Sequence, residues 1–341
     1  MNVLVIGGAG YIGIHTVKAL LEAGHTAVVF DNLSTGHQEA LARLPAPVPF
    51  IRGDVTRAED LERAFKEHPV DAVMHFAAKS LVGESMQHPA AYYHNNVLGG
   101  VTLLECMRAH GVKTLIFSST AAVYGEPEAV PIAEEHPLRP SSVYGRTKRM
   151  FEEMLEDYRR VYGLRYAALR YFNAAGADPG GALGEDHDPE THLIPIVLQA
   201  ALGLREAVTI YGTDYDTPDG TCIRDYIHVS DLADAHVLAL EVLSQGAGSG
   251  AYNLGNGSGF SVREVIETAE RVVGRPIPVK EGPRRPGDPA VLVAGAEKAR
   301  RELGWRPRWA ELETIVRTAW EWHRAHPQGY RTARAGAPPL D

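Results

Sequence analysis

VLVIGGAGYIG, residues 3–13, places a short apolar run against a glycine turn and then a helix-like stretch. Gly7, Gly10 and Gly13 form GxxGxxG, and apolar spacing at Ile12, Val17, Leu20 and Leu21 continues to Ala23 before stopping at Gly24. Glycine lets a backbone turn tightly and approach a pyrophosphate, whose charge then sits at a helix N-terminus. The pattern alone is common. Here Asp31 ends the next apolar run, 18 residues beyond Gly13. An acid at that place accepts hydrogen bonds from an adenosine ribose and repels a 2′-phosphate, so the expected cofactor is NAD rather than its phosphorylated form.

Working outward, apolar runs recur at Ala27–Asp31, Phe50–Gly53, Ala72–Phe76, Thr114–Ser118 and Ala167–Phe172. Helical patterns fall between them, at Tyr92–Ala109 and most strongly at Val143–Tyr162 with Ser142 as N-cap. Strands alternating with helices predict an α/β fold: a Rossmann-type, doubly wound parallel sheet that binds ligands beyond its strands' carboxyl ends. After Phe172 the chain turns to short elements and turn signals, which predicts a smaller mixed C-terminal substrate-binding region. The expected division is 1–173 for NAD, with parts of the later chain returning to it, 174–330 mainly for substrate, and 331–341 as a mobile tail.

The chain has 341 residues and a net charge of −9 from 34 Lys and Arg against 43 Asp and Glu. No basic face for nucleic acid is visible, and no run reaches the ~18 apolar residues of a membrane span. The N-terminus does not read as a signal peptide. Cys106 and Cys222, the only two cysteines, form no disulfide framework and fit a reducing cytoplasm. No metal is expected, because a zinc set needs clustered ligands and the 15 histidines are scattered.

Tyr144 and Lys148 stand one turn apart on the strongest helix, with Ser118, Ser119 and Thr120 ending a strand upstream. A phenolate stabilised by an ammonium and an oxidised nicotinamide takes a proton from a hydroxyl while hydride leaves the same carbon. Thr120 is placed to hydrogen-bond that hydroxyl. The ordinary alternative is a Tyr/Lys pair on a solvated helix.

Together GGAGYIG (7–13), FDNLSTG (30–36), RGDV (52–55), FSSTAAVYG (117–125) and YGRTK (144–148) resemble the extended short-chain dehydrogenase/reductase family. LRYFNAAGA (169–177), RDYIHVSDLADAH (224–236), YNLGNGSG (252–259) and RRPGD (284–288) are similar to its sugar-nucleotide epimerase subgroup. The resemblance implies a tightly held NAD and a UDP-hexose substrate, UDP-glucose and UDP-galactose being interconverted. The 4-hydroxyl is oxidised, the 4-keto sugar rotates, and hydride returns to the opposite face. It implies Tyr144, Lys148 and Thr120 as catalytic residues. It implies cofactor contacts from Gly7, Gly10, Tyr11, Ile12, Gly13, Asp31, Asn32, Ser34, Thr35, Asp54, Val55, Phe76, Ala77, Ala78, Asn95 and Phe172, besides Tyr144 and Lys148. Toward substrate it implies Asn173, Arg224 and Arg285 for the diphosphate and Asp288 for the uridine ribose. Thr209 and Tyr211 go beside uracil, with His192 and Leu193 adjoining and Leu292 at the sugar wall. It also implies a homodimer through Tyr92–Ala109 and Val143–Tyr162, paired into a four-helix bundle.

Several positions depart from the subgroup. Thr120 replaces a common serine and keeps the hydroxyl. Lys79 stands one residue before the place where some members carry lysine, Ser80 here. His192 stands where asparagine is common, and Leu292 is neither a large tyrosine nor a small residue. Dehydration of the sugar needs an extra acid and base after Thr120, and those positions are Ala121 and Ala122. An N-acetylated or glucuronate UDP-sugar remains an alternative substrate. So does a non-catalytic NAD sensor, which would have no need of Tyr144, Lys148 and Thr120 together.

Overall fold

The computed structural model describes residues 1–285 and 288–331. The expected tail therefore lies outside the described residues from 332 onward, as do Pro286 and Gly287 of RRPGD. The first half supplies strands β1 (Asn2–Ile6), β2 (Thr26–Asp31), β3 (Phe50–Arg52), β4 (Ala72–His75), β5 (Thr114–Thr120) and β6 (Arg165–Tyr171). Short strands β7 (Asn173–Ala175), β8 (Val208–Tyr211), β9 (Ile223–Arg224) and β10 (Tyr226–His228) follow. Then β11 (Gly250–Leu254) returns to pair with β6. The resulting seven-stranded sheet runs β11-β6-β5-β4-β1-β2-β3, every neighbouring pair parallel. The order reverses between β1 and β4, and a crevice opens at such a switch point.

One face of the sheet is covered by α1 (Tyr11–Glu22) and, later in the chain, a helix over Val229–Ser244. The other face carries α2 (Ala58–Glu67) and, beyond the short α3 (Val82–Gln87) and α4 (Pro89–Tyr92), α5 (Gly99–Ala109) and α6 (Val143–Tyr162). Val17 and Leu20 bury against Leu240 and Leu243 on the first face, and Leu103, Met107, Phe151 and Leu155 meet on the second. Each such side chain contributes about 1.5–3 kcal/mol, which is why both faces of the strands read as continuous apolar runs.

Helix α6 has the expected limits. Its Ser142 Oγ accepts from the Gly145 N–H at 3.0 Å, and Gly163 ends it in the left-handed region at φ +70°. The expected helix Tyr92–Ala109 is instead interrupted. A π-helical turn over Tyr93–Leu98 separates α4 from α5, and within it Asn96 is buried. Helix α2 and strand β11 were not anticipated. The β11 segment carries polar Asn253, whose partners appear only in three dimensions.

The later region holds α7 (Leu193–Ala201), α8 (Val229–Ser244), α9 (Val262–Val273) and α10 (Leu312–Ala325), with β12 (Phe260–Ser261), β13 (Val279–Gly282) and β14 (Val291–Leu292). Among the described residues three small sheets form here: β10–β7, β12–β9–β14 and β13–β8. A separate core of Val197, Leu198, Ile210, Val265, Ile315 and Val316 joins α7, α9, α10 and β8. Among the described residues no helix is long and apolar enough to cross a membrane.

Candidate functional site

The glycine turn lies at the carboxyl end of β1, against the residues that follow β4. A Cβ on Gly7 would come within 2.5 Å of the Ala77 nitrogen, and one on Gly13 within 2.2 Å of the Gly7 oxygen. At Gly10 the nearest atom would be 3.4 Å away. So Gly7 and Gly13 are required by packing, whereas Gly10 leaves its side of the turn open for a ligand. No side chain caps α1, so its first N–H groups are available to an anion. Asp31 ends β2 beside this turn. Its carboxylate accepts from Ala9 N at 3.0 Å and Leu33 N at 2.8 Å, and burial raises its pKa. These features fit a dinucleotide.

The remaining expected cofactor residues gather around the same edge with different employments. Asn32 donates to Asp54 Oδ2 at 3.1 Å, while Asp54 Oδ1 takes the Thr56 N–H and hydroxyl. Ser34 and Thr35 are exposed in the loop after β2, and Phe76, Ala77 and Ala78 follow β4 half-buried. Ile12 is packed against the core on α1. Val55 is core, and Tyr11 ties α1 to the Gly176 carbonyl at 2.7 Å. Asn95 bonds its neighbour Asn96, which holds both backbone groups of Lys79 and reaches Thr147 on α6. The exposed side chain of Lys79 thus projects from a loop that Asn96 fixes.

Thr120, Tyr144 and Lys148 meet where β5 ends over α6. The Lys148 amine, 3% exposed, donates to the Ser118 carbonyl at 2.7 Å and lies 5.9 Å from the centre of the Tyr144 ring. Burial lowers its pKa to about 7, against the pull of Glu152. Burial likewise raises Tyr144 to about 12, and a hydrogen bond with Thr120 opposes that rise. With protein groups alone the pair is therefore a neutral phenol beside a weakly held ammonium. Ser85 of α3 receives the Tyr144 N–H at 3.2 Å, and Ser118 hydrogen-bonds Tyr171.

Beneath them runs a buried network that sequence reading missed. Ser119 donates to Glu152 at 2.5 Å, Glu152 pairs with Arg170 at 2.5 Å, and Arg170 reaches the Tyr124 hydroxyl at 2.9 Å. Tyr124 donates to Asn253 on β11 at 2.7 Å. Glu152 one turn after Lys148 was the available signal.

The expected substrate residues converge from β8, β9 and β14. Leu292 is in register with Arg224 across the β14–β9 pair. The Arg224 guanidinium pairs with Asp288, and Arg285 lies 4.2 Å over the Tyr211 ring. Thr209 sits two residues before Tyr211 on β8, and Asn173 donates to the Asp225 carbonyl at 3.1 Å. Leu292 and Phe172 pack on the Val123–Tyr124 cluster, one turn beyond Thr120, so the wall position reaches the reacting end. Asp225, also missed, is the joint of this region: its carboxylate accepts from the backbone of Asn256, Gly257 and Ala294. Burial raises its pKa to about 6.

His192 and Leu193 stand at the start of α7. Here the expectation of scattered histidines fails locally. Glu185, His187, Glu190 and His192 each offer one ligand atom within 4.8 Å of the other three. Burial disfavours the charged form of both histidines, yet the two carboxylates raise both above the usual range. The spacing Glu-x-His-x-x-Glu-x-His over 185–192 was the sequence signal.

The model of the NAD dependent epimerase/dehydratase family matches residues 3–255. A UDP-glucose 4-epimerase from Halalkalibacterium halodurans is 57% identical over 332 residues, covering 97% of this chain and 98% of the relative. One from Azospirillum brasilense is 54% identical, covering 99% of this chain and 95% of the relative. The solved structure of the Bifidobacterium longum UDP-glucose 4-epimerase with NAD+ and UDP superposes with a TM-score of 0.92 at 42% identity, over 96% of this chain and all of that one.

Proposed function

The chain belongs to the NAD dependent epimerase/dehydratase family, and on that premise we propose that it interconverts UDP-glucose and UDP-galactose through a 4-keto hexose. One observation carries the reading. Thr120, Tyr144 and Lys148 meet at the end of β5, at the same sheet edge as the glycine turn after β1, while Ala121 and Ala122 leave no further acid or base there, in a chain similar end to end to UDP-glucose 4-epimerases.

NAD, when bound, supplies a reversible hydride acceptor and the positive charge that favours a phenolate nearby. Tyr144 takes the proton of the 4-hydroxyl, and Thr120 orients that hydroxyl. Lys148, held on the Ser118 carbonyl, is fixed within reach of the tyrosine's field. Arg224 and Arg285 fork onto the diphosphate, Asp288 takes the uridine ribose and Tyr211 with Thr209 flanks uracil. Tight nucleotide contacts with a loose hexose let the keto sugar turn over. In this division of labour residues 1–173 hold NAD and 174–330 mainly hold the UDP-sugar.

The same reading makes the protein a cytoplasmic homodimer serving galactose metabolism. Two free cysteines support the compartment. Exposed Leu98 just before α5, Val101 on α5, and Met150, Val161 and Tyr162 on α6 support the two helices as the dimer face. The test is incubation of the purified protein with UDP-galactose and no added NAD, with UDP-glucose followed by chromatography. Product establishes both the reaction and a retained cofactor. Absence of product even with NAD supplied overturns the substrate assignment and directs the assay to N-acetylated and glucuronate UDP-sugars.

A further inference from the structure

We propose that Glu185, His187, Glu190 and His192 form a structural binding site for one divalent transition-metal ion of the zinc class. In the His–Glu pairs the Nδ1 atoms of both histidines converge on the two carboxylates. His192 lies 2.8 Å from Glu185 and 3.1 Å from Glu190, and His187 lies 3.1 Å and 3.8 Å from the same two. Ligands bound tetrahedrally at ~2.0–2.1 Å stand about 3.3 Å from one another, the middle of this range. Two imidazoles select against magnesium and calcium, which take oxygen ligands, and the two carboxylates balance a charge of +2 once the ion has displaced a proton from each imidazole.

The surroundings fit a built site. Glu185 and Glu190 are buried, and Glu190 Oε1 is oriented by the N–H groups of Thr191 at 2.7 Å and His192 at 2.8 Å. Three of the four, Glu185, His187 and Glu190, line a cavity of about 300 Å³, which gives an ion a path from solvent. Four protein ligands close the coordination, which marks a structural rather than a catalytic ion. The His187 ring meets Tyr11 edge-on at 6.1 Å between centroids, and His192 immediately precedes α7. An ion here ties the start of α7, on the substrate side, to the first residue of α1, on the cofactor side.

Among the described residues the competing cluster is Glu62 on α2, Cys106 on α5 and His110 just after it. Holoprotein stripped with EDTA and desalted is titrated with Zn²⁺ against a chromophoric chelator, alongside the variants Glu190→Gln, His187→Gln and Cys106→Ser. The expected result is one equivalent per chain, bound about a hundredfold more weakly by either of the first two variants and equally well by Cys106→Ser. Thermal unfolding should shift upward by a few degrees with Zn²⁺ in wild type and Cys106→Ser only. Should the ligand variants fail to fold, Co²⁺ substitution of the wild type decides. Tetrahedral visible bands with no thiolate charge-transfer band support the site, and a thiolate band overturns it. No saturable equivalent, or one kept by Glu190→Gln or lost in Cys106→Ser, also overturns it.

Discussion

Lys148 and Arg285 are both cations assigned to the same substrate complex, yet the first is 3% exposed and the second lies open to solvent over Tyr211. At the sheet end, desolvation is the working principle. It brings the Lys148 pKa down to about 7 and sends Tyr144 up to about 12, so the pair responds steeply to any charge that enters the crevice. At the nucleotide end, guanidinium forks keep their charge whatever their burial, and what they need is access. The contrast teaches that one fold separates two demands. On the proposed assignments, groups that exchange protons sit where strands and helices exclude water, and the guanidiniums for the diphosphate sit on short strands and loops beside it.

The contrast breaks most directly at Tyr144. Tyr144→Phe keeps the ring and its packing and loses the proton acceptor. The expected fall in the rate of UDP-galactose conversion is about 10³-fold, with the unfolding midpoint nearly unchanged. Turnover at the wild-type rate would mean that the buried end is not where the proton moves.

Asp225 tests whether the nucleotide end is soft throughout or rests on one buried joint. Its folded pKa of about 6 lies above the usual carboxylate value, so the folded protein binds a proton that the unfolded chain has released. Stability from this group is therefore full below about pH 4 and is lost as pH rises through about 6. Two units correspond to roughly 3 kcal/mol. Asp225→Asn cannot ionise, so urea unfolding across pH 4–7 should show a flatter profile in the variant. Equal slopes in the two proteins would remove Asp225 as the titrating group.

What sequence made legible follows the same division. Gly7, Gly10, Gly13, Asp31, Tyr144 and Lys148 are local patterns whose physics is contained in a few neighbouring residues; the first four gather at the ends of β1 and β2, and the last two at the end of β5. The limits of α6 were legible because Ser142 and Gly163 cap it with their own chemistry. Asn253, Asp225 and the Glu152–Arg170 pair were not, since each is meaningful only through partners far along the chain. The interrupted helix before α5 hides for a related reason. Asn96 turns inward to hold the Lys79 loop, and nothing in a 3.6-residue period announces that. The grouping of His187 with His192 is legible in the spacing Glu-x-His-x-x-Glu-x-His, which a count of histidines over the whole chain does not register.

Arg285→Ala sharpens the comparison from the exposed side. Removing a guanidinium proposed to grip the diphosphate should raise KM for UDP-galactose about tenfold or more while leaving kcat within a fewfold, the signature of binding shared by ground and transition states. A loss in kcat with KM unchanged would place this arginine with the reacting groups instead.

Leu292 stands between the two ends and carries the smallest effect. It pairs in register with Arg224, on the nucleotide side, and packs on the cluster of Val123 and Tyr124 just beyond Thr120, on the reacting side. A larger side chain there intrudes on the sugar rather than on the phosphates, and a pocket wall discriminates by the bulk it excludes. Leu292→Tyr should therefore lower the rate on UDP-N-acetylgalactosamine relative to UDP-galactose by about tenfold, a difference of roughly 1.4 kcal/mol in transition-state binding. An unchanged ratio, with both rates reduced together, would mean that Leu292 supports the β14–β9 pair and that the breadth of the sugar site is set elsewhere.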